Sequence, residues 1–469
     1  MSSPERCGAC VRGRLVCDGT TPVCVKCVKR GTVCPGYSER LRVRWIETGR
    51  VSIRKQAIRL GEAKTPVARP LGISPEITEA ITALDYYNTH IAPDLVAVDT
   101  PRNPFEISPA DFPQLPRYVL HLLSSTALTH RLVRRGWRLG QPANGHHVAL
   151  YRHRGEALSL LSREITSISR QNRLAILSGV LAFTLAELQH GSSRNCLKHL
   201  DAARKTLCML GGIREIFGLD RRLDAQLAYF MIIDIMRVST SPPINSGVAN
   251  QHEYVTLIDD NLTLATCFAC PAELLRKVIS INALRLEARP LEWQETHTET
   301  AIGLLQHILD FDPIAWAEDA IQSGKRTPED RCIWLKIGQV YHDAVTLYCI
   351  GSLAHVFQCA NTYRLYVSSC RKTVRHSLHY HIVDLFSPRY NQLVKLSLWP
   401  LIVAGIEVTA DYPDFQTSIR QYLEQVACKI GTASPYEAIN YLERFWQHET
   451  QYNLFCRWET FESAMVFVL

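Results

Sequence analysis

Six cysteines near the amino terminus constrain this chain more than any other feature. They follow the spacing C-x2-C-x6-C-x6-C-x2-C-x6-C, which is a single C-x2-C-x6-C repeat written twice. The six residues are Cys7, Cys10, Cys17, Cys24, Cys27 and Cys34. A C-x2-C pair lets two thiolates turn onto one metal ion, and zinc prefers four such soft ligands in a tetrahedron. In so small a segment, metal binding supplies the folding free energy.

The number of cysteines favours two zinc ions over one. Two tetrahedra need eight sulfur positions, and six thiolates fill them when two of the six bridge. A mononuclear zinc ribbon built from the two C-x2-C pairs would leave Cys17 and Cys34 unexplained, and its spacer would be short for that class. The sequence therefore predicts two structural Zn²⁺ ions held by all six cysteines, with no position open to a substrate.

Charge is concentrated in the same part of the chain. The net charge is +7, yet residues 1–60 contain 13 Lys and Arg against 4 Asp and Glu, and the remaining residues contain 39 against 41. A basic segment attached to a nearly neutral body is typical of a chain that binds a polyanion. This pattern indicates a polyanionic partner, of which double-stranded DNA is one, and a merely solvated basic terminus is the alternative.

The cysteine segment resembles the zinc binuclear cluster domain of fungal transcription factors, including Asp18 after the third cysteine and Pro22 before the fourth. The resemblance implies that Cys7 and Cys24 are the bridging ligands. It also implies that a short helix after the second cysteine enters the major groove and reads a CGG-like triplet.

Arg14 stands at a base-reading position of that resemblance and can fork onto the O6 and N7 of guanine. Gly13 offers no side chain at the neighbouring position, and Val16 replaces a commonly found lysine. The remaining expected DNA contacts are basic residues near the cluster and in the arm that follows it, namely Arg12, Lys26, Lys29, Arg30, Arg40, Arg42 and Arg44.

The rest of the chain divides into a linker and a large body. Residues 38–74 are polar, basic and interrupted by glycine and proline, so they are interpreted as a linker between a cluster domain at 1–37 and a body at 75–469. No leucine or isoleucine heptad persists there, so a coiled-coil dimer is not expected, and a homodimer of another kind is left open. From residue 75 onward, apolar residues recur at helical spacing and alternating strands are scarce. The fold class is therefore a small zinc-stabilised two-helix cluster domain, a linker and a large all-α domain.

This body resembles the fungal-specific transcription factor regulatory domain. The stretches that carry the resemblance include Asp85-Tyr86-Tyr87, the run from Pro101 to Phe105, and Trp399-Pro400-Leu401. Each is equally well explained as core packing, and none is assigned a chemical role.

Two weaker patterns were considered as sites. Cys267 and Cys270 form a C-x2-C pair, but no βαβ context surrounds them, so a redox role is not expected. His376, His379 and His381 lie close together in the sequence, and chance clustering among 17 histidines is the better interpretation. Phosphate-binding, dinucleotide, zinc-protease and nucleophile-elbow motifs are missing, so an enzyme is not expected.

The sequence thus predicts a nuclear, sequence-specific DNA-binding transcription factor of RNA polymerase II genes, working with the transcription machinery. By family resemblance it regulates a metabolic or secondary-metabolite pathway. The alternative is a zinc-stabilised protein-interaction co-regulator with little sequence specificity, which Gly13 and Val16 keep open. Without an apolar signal peptide or a long apolar span, we expect a soluble, intracellular chain with no membrane partner. The sequence does not locate an effector ligand or distinguish an activator from a repressor.

Overall fold

The computed structural model describes most of the chain, and within it two compact units, residues 1–72 and residues 73–469. The latter is named the helical unit. The described residues are 7, 9–10, 13–20, 24–30, 43–45, 51–53, 75–97, 102–138, 145–166, 173–242, 251–259, 267–288, 294–322, 327–359, 363–408, 412–447 and 458.

The described elements are almost all helices. In chain order they are α1 (Val25–Lys29), β1 (Val43–Trp45), β2 (Val51–Ile53), α2 (Pro75–His90), α3 (Arg117–Val133), α4 (Gly145–Thr166), α5 (Arg173–His190), α6 (Ser193–Met209), α7 (Ile213–Ile216), α8 (Arg221–Ser239), α9 (His252–Asp259), α10 (Ala272–Glu287), α11 (Glu295–Leu309), α12 (Pro313–Gln322), α13 (Arg331–Ser352), α14 (Ala354–Cys359), α15 (Arg364–Leu385), α16 (Leu398–Glu407), α17 (Pro413–Ile430) and α18 (Ser434–Gln447). Short 3₁₀ turns occur at Ala92–Leu95, Pro109–Gln114, Pro328–Asp330 and Pro388–Leu396. The expectation of an all-α body is confirmed.

Helix ends follow local chemistry. Helix α8 begins after Asp220, whose carboxylate accepts the backbone N–H groups of Arg222 and Leu223 at 3.0 and 2.9 Å. Such a cap satisfies donors that the first turn leaves without partners. Helix α6 ends where Gly211 and Gly212 take positive φ angles of 97° and 105°, a region that glycine enters at little cost. The Gly-Gly pair thus ends the helix.

Helices α8, α13 and α16 are buried over most of their surfaces and form the centre of the helical unit. Neighbouring helices pack around them, with α10 in contact with both α8 and α13. Tyr341 of α13 stacks on Trp399 of α16, and Tyr348 meets the same indole edge-on. The Trp399-Pro400-Leu401 stretch is fully buried in α16, so it serves the core.

Hydrogen bonds between buried polar side chains connect the helices of this core. Tyr348 donates to Asn282 Oδ1 at 2.6 Å, and Asn282 in turn donates to Gln251 Oε1 at 3.0 Å. Trp399 Nε1 donates to Ser239 Oγ at 2.9 Å. Because buried polar groups are costly without partners, these bonds favour one arrangement of α8, α10, α13 and α16.

Two short strands lie inside the segment interpreted as a linker. Strands β1 and β2 pair antiparallel, with Val43 opposite Ile53 and Trp45 opposite Val51. β-branched and aromatic residues favour this pairing. The ribbon is not evident from the sequence because each strand is only three residues long, too short for a two-residue period to be recognised.

Candidate metal centre

The sulfur atoms of the amino-terminal cysteines converge. The Sγ atoms of Cys7, Cys10, Cys17 and Cys24 all lie within 4.8 Å of one another, and all four residues are buried. Cys27 is also buried, with its Sγ 3.7 Å from that of Cys7. Cys34, the sixth expected ligand, lies outside the described residues.

The two repeats interlock through their first cysteines. Cys7 Sγ lies 3.6 Å from Cys24 Sγ and 3.7 Å from Cys27 Sγ, so it reaches both thiols of the second C-x2-C pair. Cys24 Sγ, in turn, lies 3.7 Å from Cys10 Sγ in the first pair. Cys7 and Cys24 therefore occupy the middle of the cluster, each in contact with the opposite repeat.

Each of the two C-x2-C pairs contains the same hydrogen bond from a backbone N–H to a cysteine sulfur. The N–H of Cys10 donates to Cys7 Sγ at 3.4 Å, and the N–H of Cys27 donates to Cys24 Sγ at 3.3 Å. A third N–H, that of Cys7, points at Cys17 Sγ at 3.4 Å. N–H donors aimed at sulfur stabilise thiolates, the form in which cysteine binds a metal ion.

The donor set fits a soft divalent cation. Burial raises the pKa of the Cys10 thiol to about 12 and also raises the pKa of Cys24, whose neighbours are other thiols. A cation such as Zn²⁺ reverses this preference because it binds the thiolate form and displaces the proton. Among the residues that the structure describes, this is the one cluster with metal-ligand geometry.

Asp18 connects the loop after the third cysteine to helix α1. Its carboxylate accepts the N–H of Val25 at 3.2 Å, of Lys26 at 2.9 Å and of Thr20 at 3.1 Å. The Thr20 hydroxyl also donates to it. These hydrogen bonds, led by that of the Thr20 hydroxyl, lower the pKa of Asp18 to about 2. The carboxylate is thus an N-terminal cap supplied by a distant residue, a role that sequence spacing alone did not reveal.

Arg14 lies in the turn that closes the first repeat's helix. Ala9 and Cys10 are helical. The N–H of Gly13 then donates to Ala9 O at 3.0 Å, and that of Leu15 to Cys10 O at 2.9 Å. The second bond is of the type that ends helices in a left-handed residue. Arg14 has a φ of 50°, the one positive value of a non-glycine residue in the described part of the chain. The geometry presents its side chain, which is exposed, from a helix end.

The structure describes some of the remaining residues expected to contact DNA and not others. Lys26, Lys29 and Arg30 are exposed, and both lysines fall in α1. Arg44 lies on β1. Arg12, Arg40 and Arg42 fall outside the described residues.

The two weaker sequence patterns have structural explanations. Burial raises the pKa of Cys267 to about 12 and that of Cys270 further, which leaves both thiols protonated and unreactive. The three histidines of α15 have separate surroundings: His376 contacts Lys372 O, His379 packs on Phe415, and His381 lies 3.0 Å from Lys336 Nζ. They do not converge on a metal.

Comparison with known proteins agrees with the helical architecture. Residues 82–465 match the family described as "Fungal specific transcription factor domain". The chain belongs to this family, which indicates a transcriptional regulator and not an enzyme. The chain is also similar to the phomenoic acid biosynthesis cluster-specific transcriptional regulator of Leptosphaeria maculans, with 28% identity over 463 residues that cover 94% of this chain and 86% of that relative. No solved structure has significant similarity to the chain. Among the helices of the described residues, none combines the length and apolar composition needed to cross a membrane.

Proposed function

We propose that this chain is a nuclear, sequence-specific DNA-binding transcription factor of RNA polymerase II genes, with two Zn²⁺ ions in its six-cysteine cluster. In this proposal residues 1–37 form the DNA-binding domain, 38–74 link it, and 75–469 form the regulatory domain that works with the transcription machinery. The observation that carries the proposal is the central position of Cys7 and Cys24, each 3.6–3.7 Å from sulfurs of the other repeat. Two thiolates so placed can bridge two ions.

The DNA contacts are proposed from exposure and charge for Arg14, Lys26, Lys29 and Arg30, and from charge and sequence position for the other four. Arg14 supplies the guanine contact, and Lys26, Lys29 and Arg30 contact phosphates, joined by Arg12, Arg40, Arg42 and Arg44. Phosphate contacts position the protein, while the base contact provides discrimination. The name of the Leptosphaeria relative, a cluster-specific regulator of phomenoic acid biosynthesis, supports a secondary-metabolite pathway as the regulatory target.

A protein-interaction co-regulator is the second candidate. It is favoured by apolar side chains on the cluster surface, since Val16 is 76% exposed and Val25 is 45% exposed. Such residues can pack against a protein partner, whereas a phosphate backbone gives them nothing to bind.

One set of measurements separates these candidates. Elemental analysis of the purified full-length chain should give two zinc atoms per chain. Gel shifts on CGG-containing duplexes should show zinc-dependent binding that Arg14→Ala weakens about tenfold or more. Lys205→Gln, a charge change on the exposed face of α6, is the matched control and should bind as the parent does. Equal binding to all duplexes with no effect of Arg14→Ala would favour the co-regulator, and one zinc or none per chain would refute the two-zinc cluster.

A further inference from the structure

A cavity of about 890 Å³ opens between α14, α15 and the start of α17. Its volume lies within the range of sites that bind small molecules. Its lining differs from the core because it combines basic residues of α15 with apolar residues. We name it the basic groove, defined by the floor residues Phe357, Val408 and Phe415 and by the α15 residues Arg364, Lys372 and Arg375.

Helix α15 supplies the basic side from two adjacent rows. Residues 364, 368, 372 and 376 are spaced by four, as are 371, 375 and 379, and residues so spaced lie one above another on a helix. The first row contains arginine, serine, lysine and histidine, and the second contains two arginines and a histidine. All seven line the cavity. No carboxylate lines it among the residues that the structure describes.

One buried carboxylate behind the lining orients two of these cations. Glu407 accepts from Arg371 Nε and Nη2, both at 2.8 Å, and from Arg375 Nη2 at 3.1 Å. Two guanidinium charges therefore share one carboxylate, which leaves this group with a net positive charge. Arg375 retains further N–H donors and is partly exposed, with 23% of its side chain accessible. It is held in place with donors to spare, which suits anion recognition.

The groove also offers apolar surface. Leu365 on α15 is 83% exposed and Tyr412, just before α17, is 51% exposed, and both line the groove. The floor residues Phe357, Val408 and Phe415 are each less than a tenth exposed and contribute little of this surface. A ligand that fills the groove must therefore satisfy the cations of α15 and cover these exposed apolar side chains.

We propose that the basic groove binds a small amphipathic anion, a molecule with a carboxylate or phosphate head group and an apolar body. The head group accepts hydrogen bonds from Arg375 and Lys372, which lie about one turn apart on α15, and Arg364 adds positive charge further along the same helix. The apolar body covers the exposed apolar side chains of the groove. A ligand here contacts both α15 and the start of α17, so binding would be linked to the stability of the helical unit. The proposal does not depend on the zinc cluster or on DNA binding.

Calorimetric titration of the full-length chain tests the proposal with simple probes kept below their critical micelle concentrations. Decanoate and decyl phosphate distinguish the two head groups, while 1-decanol and decyltrimethylammonium supply the same apolar body without an anion. We expect one or both anions to bind at least about tenfold more tightly than decanol, since hydrogen bonds to charged groups are the stronger ones. The stronger of the two anions identifies the head group.

Variants assign the binding to this groove. The double variant Arg364→Gln/Lys372→Gln should weaken anion binding about tenfold while its thermal midpoint stays unchanged, because both side chains are exposed. Ser368→Trp should block the groove without removing charge, and Lys205→Gln on α6 is the matched control for a lost surface cation. A separate cavity of about 310 Å³, mostly apolar and lined partly by Tyr87 and Gly179, is the competing site for uncharged probes. Anion binding no stronger than that of decanol, or binding that survives Ser368→Trp, would overturn the proposal.

Discussion

The carboxylate of Asp18 accepts the backbone N–H of Lys26 across 2.9 Å, which joins the loop after the third cysteine to the first turn of α1. Helix α1 has only five residues and carries Cys27, so its first turn has few other means of support. Asp18 therefore helps to hold the second C-x2-C pair in position for the metal.

Replacing Asp18 with Ala should loosen the metal centre. We expect the variant to lose zinc to a chelator at about tenfold lower chelator concentration, in line with other changes to groups that orient metal ligands. Asp18→Asn keeps an acceptor oxygen without the charge, so it should lose zinc at a chelator concentration between those of the parent and of Asp18→Ala. The measurement is zinc release followed by a metal-sensitive dye. Identical release from all three proteins would contradict a supporting role for Asp18.

Arg14→Gly separates folding of the cluster from DNA recognition. The left-handed φ of Arg14 costs an L-residue about 1 kcal/mol or more, and glycine avoids that cost, partly offset by its greater freedom in the unfolded chain. The variant should be no less resistant to chelation than the parent, yet it should lose the proposed discrimination for guanine. Arg14→Val is the contrasting change, since a β-branched residue tolerates this conformation poorly. A chelation-sensitive Arg14→Gly protein would refute the turn described above.

Glu407 makes the helical unit sensitive to acid. Burial opposes its ionisation, but the charges of Arg371 and Arg375 and their hydrogen bonds outweigh burial and lower its pKa to about 2, from an ordinary value of 4.5. Its contribution is therefore complete above about pH 4.5 and is lost as the pH falls through 2. That contribution is on the order of 3 kcal/mol.

Denaturant unfolding at several pH values measures this effect. Glu407→Gln should destabilise the protein by about 3–5 kcal/mol at pH 7, because it leaves the buried Arg371 and the partly buried Arg375 without their counter-charge. It should also flatten the acid limb of the stability curve. Glu318→Gln breaks a half-exposed ion pair with Arg331 and serves as the control. Its effect should stay below about 1 kcal/mol. Equal losses of unfolding free energy in the two variants would show that Glu407 contributes no more to stability than a half-exposed carboxylate does.

Gly431 ends helix α17 at a φ of 60°, where the chain passes close to His130 of α3. A Cβ at this position would overlap the imidazole ring, in addition to the strain of the left-handed backbone. Gly431→Ala should therefore lower the free energy of unfolding by about 2 kcal/mol or more. Gly303→Ala, in the open middle of α11, should instead leave stability unchanged or raise it by up to about 1 kcal/mol. Thermal unfolding of both variants tests the contrast.

Thiol labelling should separate the cysteines of the helical unit by exposure. Cys208, Cys332 and Cys359 are exposed and should react within minutes with an aromatic disulfide reagent. Cys267 and Cys270 are buried with raised pKa values, so they should react only when the unit unfolds. Fast labelling of this pair in the native protein would restore the redox interpretation that the structure argues against.

Sequence periodicity located most of the large helices because their apolar residues recur at helical spacing. Helix α8, which spans Arg221–Ser239, has apolar residues at helical spacing from Leu223 to Met236. Helix α15 lacks this pattern, since its buried face includes Arg371 and its exposed residues include Leu365, Tyr366 and Tyr380. An arginine enters such a face only because Glu407, 36 residues further on, supplies its counter-charge. An ion pair between residues so far apart in the sequence leaves no local pattern from which the helix could be predicted.

The candidate metal centre was easier to predict from the sequence because the spacing of its ligands is a local feature. Spacing indicated which thiols converge, and the structure brings five of the six cysteines into the buried cluster. The spacing did not reveal the turn at Arg14 or the hydrogen bonds between Asp18 and residues beyond the fourth cysteine. Both depend on how the two repeats fold against each other.

The contact of Cys7 and Cys24 across the two repeats has a consequence for assembly. Each repeat carries three sulfurs, one short of a tetrahedron, so on the proposed two-zinc arrangement neither half can close its own coordination sphere. A growing polypeptide would hold no finished metal site until the second repeat has left the ribosome. Loading would then be all-or-none, and zinc supply would set the fraction of newly made chains able to bind a promoter.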